Sequence, residues 1–287
     1  MLNNLLCALA SARSEERRVG KECRSRWSTL FRSGNDSAHN PSSRTCDAYR
    51  LDGLTRMDEL SAAGREIAAR HSGCTVLFSL DDLPQALYTS GHARLSSNLD
   101  AVSEADLGQL PPECFENGQY LGYTTTKAEF APCLRILLRQ ADALSFEALC
   151  AHGLTLDDAA LEHWLAYQAK PLMLIDQPML ALAAPVEQPW QALAAFPNGY
   201  FESDLDPAQN CALARHLQQT HGYTLMGVGA SYLGFTRAEA PDAAQAARVA
   251  ADLCALYNVP AEQRQVRLDA LRAGIEGRSH LWVRYVE

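Results

Sequence analysis

The amino-acid sequence predicts an α+β fold whose C-terminal part has a ferredoxin-like pattern. Hydrophobic residues make up 47% of the 287 residues and charged residues 21%, a composition typical of a chain that buries a sizeable core. From Thr55 onward, some segments carry apolar residues at helical spacing and others are short β-branched runs. Near the C-terminus they follow in the order β-α-β-β-α-α-β, which is the ferredoxin-like order with one added helix.

The first elements are marked by periodicity and by cap signals. Apolar residues at helical spacing predict a helix over Met57–Arg70. The β-branched run Thr75–Leu80 predicts a strand, and Gln119–Tyr123 predicts a second, shorter one. A threonine followed three residues later by a glutamate, at 126 and 129, is a capping box. A helix is therefore expected over Lys127–Gln140.

The middle of the chain continues with the same two kinds of signal. A short helix is expected over Ser145–His152, and a longer one over Leu156–Ala169. Two apolar runs on either side of a turn predict strands at Pro171–Ile175 and Met179–Ala184. Another short helix, Trp190–Phe196, ends before a turn that contains proline and glycine.

The C-terminal segment has the clearest boundaries. Asp206 followed by Pro207 is an N-cap with proline at the first helical position. A small-residue turn at 229–231 between two apolar runs predicts a hairpin. The expected elements are, in order, Tyr200–Glu202 (strand), Pro207–Thr220 (helix), Tyr223–Val228 and Tyr232–Thr236 (strands), Ala243–Tyr257 and Val266–Ile275 (helices) and His280–Val286 (strand).

This C-terminal segment resembles a bacterial family known only as a domain of unknown function. The resemblance is carried by His221-Gly-Tyr-Thr-Leu-Met-Gly-Val-Gly-Ala-Ser-Tyr-Leu-Gly-Phe235, by the alanine-rich helix after it, and by Leu281-Trp-Val-Arg-Tyr285. It covers roughly the last 80 residues, and its motifs are mostly structural. The chain departs from the family pattern at its end, which reads Arg284-Tyr285-Val286-Glu287 instead of a run of aromatic residues. The resemblance implies no activity.

The N-terminal segment differs in composition from the rest. Residues 15–28 resemble translated cloning or sequencing-adaptor sequence, and residues 32–47 are rich in Ser, Asn, Pro and Arg. We interpret residues 1–48 as a non-native or disordered segment; the alternative is a basic arm for nucleic acid or membrane. The remainder is expected to form an acidic α+β region at 49–197 and the ferredoxin-like unit at 198–287.

The charge of the chain is unevenly distributed. The formal net charge is −9, but residues 51–197 carry 8 Lys and Arg against 19 Asp and Glu, a net charge of −11. Such a surface repels phosphate backbones, so no nucleic-acid partner is expected. It suits a basic protein partner or a metal ion. We therefore expect a basic protein partner for this region.

Sequence also indicates where the protein resides. No stretch approaches the roughly 18 to 20 apolar residues that span a bilayer, so no membrane partner is expected. The nine cysteines include no C-x-x-C pair, which removes local support for a zinc or redox site. Scattered thiols are typical of a reducing compartment, and a cytoplasmic location is predicted.

Acidic residues near position 204 are the first candidate site. Glu202, Asp204 and Asp206 alternate along the chain, so in a persisting strand the first two share one face. Carboxylate oxygens are the ligands that hard cations prefer, which makes these three residues metal candidates. The alternative is that Asp206 is simply an N-cap and the other two are solvated charges.

A run of hydroxyl groups beside a lysine is the second candidate. Thr124, Thr125, Thr126 and Lys127 precede a predicted helix, and backbone N–H groups at a helix N-terminus attract anions. A lysine there opposes the helix dipole, which hints at a purpose. The alternative is ordinary capping by Thr126 and Glu129.

Other catalytic signals are absent from the sequence. It contains no G-x-S-x-G, P-loop, H-E-x-x-H or G-x-G-x-x-G motif, and no cofactor is predicted. His216 and His221 are five residues apart, which is not the i,i+4 spacing that puts two ligands on one helical face. No metal role is therefore predicted for these histidines.

The favoured function is a non-enzymatic protein-interaction module. In its concrete form this is an immunity-like or inhibitor-like protein that binds a basic partner through its acidic region. The alternative is a small hydrolase or ligand-binding protein that uses the carboxylate cluster or the Thr-Lys anion site.

Overall fold

The computed structural model describes residues 27–30, 45–122, 124 and 126–287. Most of these residues belong to a mixed sheet and the helices that cover it. The strands are β1 (Trp27–Leu30), β2 (Asp47–Leu51), β3 (Thr75–Ser79), β4 (Phe115–Glu116), β5 (Gln119–Tyr120), β6 (Met179–Ala184), β7 (Thr224–Val228), β8 (Tyr232–Thr236) and β9 (His280–Arg284).

The helices vary from one turn to four. They are α1 (Met57–Arg70), α2 (Leu83–Ser96), α3 (Glu104–Leu107), α4 (Phe130–Asp142), α5 (Phe146–Cys150), α6 (Asp158–Ala169), α7 (Pro207–His221), α8 (Ala243–Leu256) and α9 (Arg264–Ile275). Within the described ranges, no helix has both the length and the apolar character needed to cross a membrane.

One sheet of seven strands runs through the described chain. Its order is β1-β2-β6-β3-β7-β8-β9, and β4 and β5 form a separate two-stranded hairpin. β3 and β7 run parallel to each other, and the other neighbouring strands are antiparallel. Because β3 pairs with β7, the sheet crosses the boundary expected near Pro197, and the division into 49–197 and 198–287 stays a prediction.

The core lies on both faces of this sheet. Every residue of β6 is buried, as expected for a central strand covered on two sides. On one side α6 is fixed to β9, because the indole N–H of Trp164 donates to the carbonyl oxygen of Trp282 at 2.7 Å. The indole N–H of Trp282 donates in return to the carbonyl oxygen of Tyr167 at 3.1 Å. Both tryptophans are fully buried, and their polar atoms are satisfied.

The α+β class is confirmed, and two predicted strands are corrected. Tyr200–Glu202 is not a strand, because the chain turns over 201–204: the backbone N–H of Asp204 bonds to the carbonyl oxygen of Phe201, and the Asp204 carboxylate accepts from the Phe201 N–H. Pro171–Leu174 is a 3₁₀ turn, in which the N–H of Met173 bonds to the carbonyl of Lys170. The expected ferredoxin-like order therefore loses its first strand, and the last 90 residues form α-β-β-α-α-β. In the sheet, β7, β8 and β9 are direct antiparallel neighbours.

The N-terminal prediction falls mostly outside the described residues. Of residues 1–48, the structure describes 27–30 and 45–48. β1 pairs with β2, and β2 begins at Asp47, which pairs with Ala183 of β6. The interpretation of 1–48 as a non-native or disordered segment stays a prediction.

Candidate functional site

An acidic cavity of about 660 Å³ opens where the loop before α7 meets the end of α2. α4 and the segment after α5 complete its wall. We call it the acidic cavity. Its lining residues are Ser96, Ser97, Asn98, Gln140, Leu144, His152, Gly199, Tyr200, Phe201, Glu202, Asp204, Asp206, Ala208 and Gln209.

The loop that carries the carboxylates is held by backbone geometry and by one buried amide. Gly199 has a φ of +103°, and an added Cβ would lie 1.8 Å from the carbonyl oxygen of Leu205, so only glycine fits. The buried side-chain amide of Asn210 donates to the carbonyl oxygens of Asn198 and Leu205, both at 2.9 Å. These contacts close the loop into a fixed shape before α7 begins.

The three predicted metal candidates have different environments in this loop. Asp204 is buried, and burial raises the pKa of its carboxyl group above the ordinary value. Asp206 is the N-cap of α7, and its carboxylate accepts from the N–H of Gln209 at 2.8 Å. Glu202 is exposed and makes no hydrogen bond or ion pair with the residues that the structure describes. Within that same part of the chain, these three carboxylates do not bring their oxygens within one ion's reach, so the metal interpretation stays a prediction.

A histidine that the sequence did not single out joins the carboxylates. The side-chain amide of Gln209 lies 3.2 Å from Nδ1 of His152, and Nε2 lies 3.3 Å from the carbonyl oxygen of Ser203. The amide N–H donates to Nδ1, which assigns the ring proton to Nε2, where it donates to the carbonyl. His152 therefore connects the segment after α5 to the loop 199–206, which carries the three carboxylates and which we call the acidic loop.

Aromatic rings stand at the mouth of the cavity. Tyr200 and Phe201 are exposed, and their ring centroids lie 5.3 Å apart. The row continues through His92, 4.9 Å from Tyr200, to the exposed Tyr88, 4.4 Å from His92. We call Tyr88, His92, Tyr200 and Phe201 the aromatic row. Exposed aromatic side chains grouped in this way are characteristic of binding surfaces.

The predicted anion-binding residues lie away from the cavity. Thr124 is buried, and its hydroxyl donates to the carboxylate of Asp100 at 2.5 Å. Thr126 accepts from the N–H of Ala128 as a cap, as the sequence indicated. Lys127 forms an ion pair with Asp47, and Thr125 is outside the described residues. Because Thr124, Thr126 and Lys127 do not line the acidic cavity, these described residues do not converge with the carboxylates, and the anion site stays a prediction.

A second polar cluster was also missed by the sequence. His216 and His221 both contact the carboxylate of Asp252, which lies on α8. The spacing of five residues argued against joint action, but His221 is the last residue of α7, where the helix ends at Gly222. No local signal connects either histidine with an aspartate more than 30 residues away.

Comparison with known protein families gives a match for the C-terminal part of the chain alone. Residues 180–283 match the family model of a domain of unknown function, DUF4253. The match confirms the resemblance drawn from the sequence. The acidic loop and α7 lie within the matched residues, whereas α2, α4 and His152 lie before them. Neither the curated proteins nor the solved structures gave a match.

Proposed function

We propose that this protein is a non-enzymatic interaction module, immunity-like or inhibitor-like, that receives a basic side chain of a protein partner in the acidic cavity. The observation that carries the proposal is the composition of the cavity. Among the residues that the structure describes, its lining includes three carboxylates and no lysine or arginine, and it opens onto exposed aromatic rings. A cavity of one charge sign concentrates ligands of the opposite sign.

The electrostatics of the cavity favour a cation. The carboxylate of Glu202 has no partner among the described residues, so it is available to an incoming charge. Residues 51–197, which supply α2, α4 and His152, carry a net charge of −11. A basic partner is therefore drawn by the surrounding surface before it reaches the cavity, and this attraction acts mainly on the association rate.

The aromatic row favours arginine among basic side chains. A guanidinium group stacks on aromatic faces and also binds carboxylates with two parallel hydrogen bonds. Tyr200 and Phe201 lie beside Glu202 in the chain, so rings and carboxylate are offered to the same ligand. Rings that bury a partner's side chain are often the residues that dominate binding energy.

Binding of a defined basic peptide tests the proposal. We expect a labelled peptide rich in arginine to bind the full chain at low ionic strength, and a peptide with glutamine in place of arginine not to bind. Phe201→Ala should weaken binding at least about 5-fold, the effect of losing a contact of more than about 1 kcal/mol. Glu202→Gln should weaken it about 1.5- to 5-fold, the range for an exposed charge pair. Fluorescence anisotropy measures both changes.

Matched controls separate the cavity from charge and exposure in general. Glu262→Gln removes another exposed carboxylate, and Val266→Ala truncates another exposed apolar side chain, both outside the cavity. Both control variants should bind as the wild type does. Equal binding of the arginine and glutamine peptides contradicts the proposal. If a divalent cation or phosphate instead raises the melting temperature, the alternative of a hydrolase or ligand-binding protein is favoured. If the arginine peptide binds as expected, a pull-down from bacterial lysate at low ionic strength serves to identify the natural partner.

A further inference from the structure

Two histidines of the C-terminal half of α7 converge with an aspartate of α8. Nε2 of His216 lies 2.7 Å from Oδ2 of Asp252, and Nε2 of His221 lies 2.8 Å from the same oxygen. One ligand atom from each residue falls within 4.8 Å of the other two. We call these residues the His–Asp cluster. They belong to α7 and α8, and none of them lines the acidic cavity.

The donor set of this cluster is that of a transition-metal site. Two imidazole nitrogens and one carboxylate oxygen are the protein ligands of many catalytic zinc centres, which leave a fourth position to water. Hard cations such as Mg²⁺ prefer sites made of oxygen ligands alone. The chemistry of the cluster therefore favours a first-row transition-metal dication such as Zn²⁺ over Mg²⁺.

Burial places the cluster where an ion can enter and be retained. The side chain of His221 is 5% exposed, whereas those of His216 and Asp252 are 22% and 29% exposed. His221 thus forms the floor of the cluster, and the other two residues form its solvent-facing side. An ion bound here is partly withdrawn from water and still reaches it through the open position.

The present distances need only a small change to admit an ion. At ligand distances of about 2.05 Å, tetrahedral geometry separates two ligand atoms by about 3.3 Å. The observed separations of 2.7 and 2.8 Å are hydrogen-bond lengths, so the aspartate oxygen must move outward by about half an ångström. The Asp252 side chain is partly exposed, so we expect its rotation to supply this movement.

Neighbouring groups orient the outer histidine. The ring of Phe146 stacks on His216, with centroids 3.9 Å apart and planes at 5°. The hydroxyl oxygen of Thr220 lies 3.5 Å from Nδ1 of His216. When Nε2 faces a metal, the ring proton resides on Nδ1, and a nearby oxygen acceptor is the usual partner of that proton. The hydroxyl oxygen of Thr220 lies where this acceptor is expected.

We propose that His216, His221 and Asp252 bind a Zn²⁺ ion, with water in the fourth position. This site is separate from the acidic cavity and does not depend on the proposed function. Without the ion, the same three side chains hold α7 to α8 by two hydrogen bonds. A purely structural cluster and a metal site differ in one respect, which is whether Zn²⁺ binds to the folded protein through these three residues.

Calorimetric titration of the full chain with Zn²⁺ tests the site. We expect each chain to bind one Zn²⁺ ion at the His–Asp cluster, and we expect this binding to raise the melting temperature. Mg²⁺ at the same concentration should neither bind there nor raise the melting temperature. His216→Gln and Asp252→Asn should each lower the affinity of the cluster for Zn²⁺ by more than about 100-fold. Loss of hydrogen-bond partners that only orient the ligands already lowers metal affinity roughly 10- to 100-fold. His163→Gln is the matched control, because His163 is an exposed histidine on α6 outside the cluster.

The outcomes separate the site from other metal-binding groups. Absence of Zn²⁺ binding to the wild type overturns the proposal. Retention of the full stoichiometry and affinity in both cluster variants also overturns it, because the ion then resides on other groups such as cysteine thiols. Circular dichroism without Zn²⁺ checks that each variant is folded. If Asp252→Asn unfolds, His216→Gln decides the question alone, since its amide keeps a hydrogen-bond donor for Asp252 but removes the imidazole ligand.

Discussion

Asp81 follows β3 and is expected to make the stability of the protein depend on pH. Its Oδ1 atom is buried and has no hydrogen-bond partner among the described residues. An added Cβ on Gly229 would lie 2.0 Å from this oxygen, so the backbone of the turn after β7 closes over the carboxyl group. Burial raises the pKa of Asp81 from 3.8 to about 6, although hydrogen bonds from its own backbone and from Ser231 act in the opposite direction.

The sign and size of the effect follow from this shift. Because the folded-state pKa is above the unfolded one, the stabilising contribution is fully present below the unfolded value near 3.8 and is lost as pH rises through about 6. A shift of about 2.2 pKa units corresponds to about 3 kcal/mol in total. Part of it is already lost at pH 4, so about 2.5 kcal/mol should disappear between pH 4 and pH 8.

Asp81→Asn should remove this dependence, because asparagine does not ionise. Urea melts of wild type and variant at several pH values between 4 and 8 give the difference in the free energy of unfolding. Other titrating groups are common to both proteins and cancel in this difference. The variant should gain about 2.5 kcal/mol relative to wild type between the two ends of the range. Asp269→Asn makes the same substitution at an exposed aspartate of α9 and is the matched control. A constant difference for Asp81→Asn would refute the reasoning.

Two further predictions concern the packing of the C-terminal strands and helices. Leu253 of α8 is 1% exposed, so Leu253→Ala should lower the free energy of unfolding by about 2 to 5 kcal/mol in urea melts; an unchanged midpoint would mean that this face of α8 is not packed. An added Cβ on Gly234 of β8 would lie 2.4 Å from the ring of Trp282, so Gly234→Ala should cost about 1 to 3 kcal/mol by overpacking. Gly108→Ala, where an added Cβ meets nothing within 4 Å, is its control and should leave the melt nearly unchanged.

The helix starts were predictable because their signals are local. Asp206 and Asp242 cap α7 and α8, and the capping box at 126–129 is formed. In each case the cap and its partner are at most three residues apart, so the sequence contains the whole interaction. The apolar residues that recur at helical spacing from Ala246 to Leu256 form the buried face of α8.

No sequence pattern predicted α2, because the partners of its buried polar residues lie outside the helix. Its residues Leu83–Ser96 include buried polar side chains, among them Thr89, Ser90 and Arg94, and so no apolar stripe marks the helix. The hydroxyl of Thr89 donates to the side-chain oxygen of Asn198, and Arg94 forms an ion pair with Asp100. These partners are separated from α2 in the sequence or lie beyond its end. A polar residue whose partner is distant has no periodic signal, and it is read as part of a loop.

Sequence by itself determined the α+β class, the helix caps, the acidic balance and the resemblance of the C-terminal segment to a family of unknown function. Only the tertiary structure decided which charged and aromatic groups meet. His152 contacts the acidic loop from 51 residues away in the chain, and Asp252 joins His216 and His221 from another helix. Caps and periodicity depend on neighbours within a few residues, whereas a cavity or a ligand set depends on the order in which strands and helices pack. That order is fixed by the burial of the whole core, which no short segment of the chain encodes.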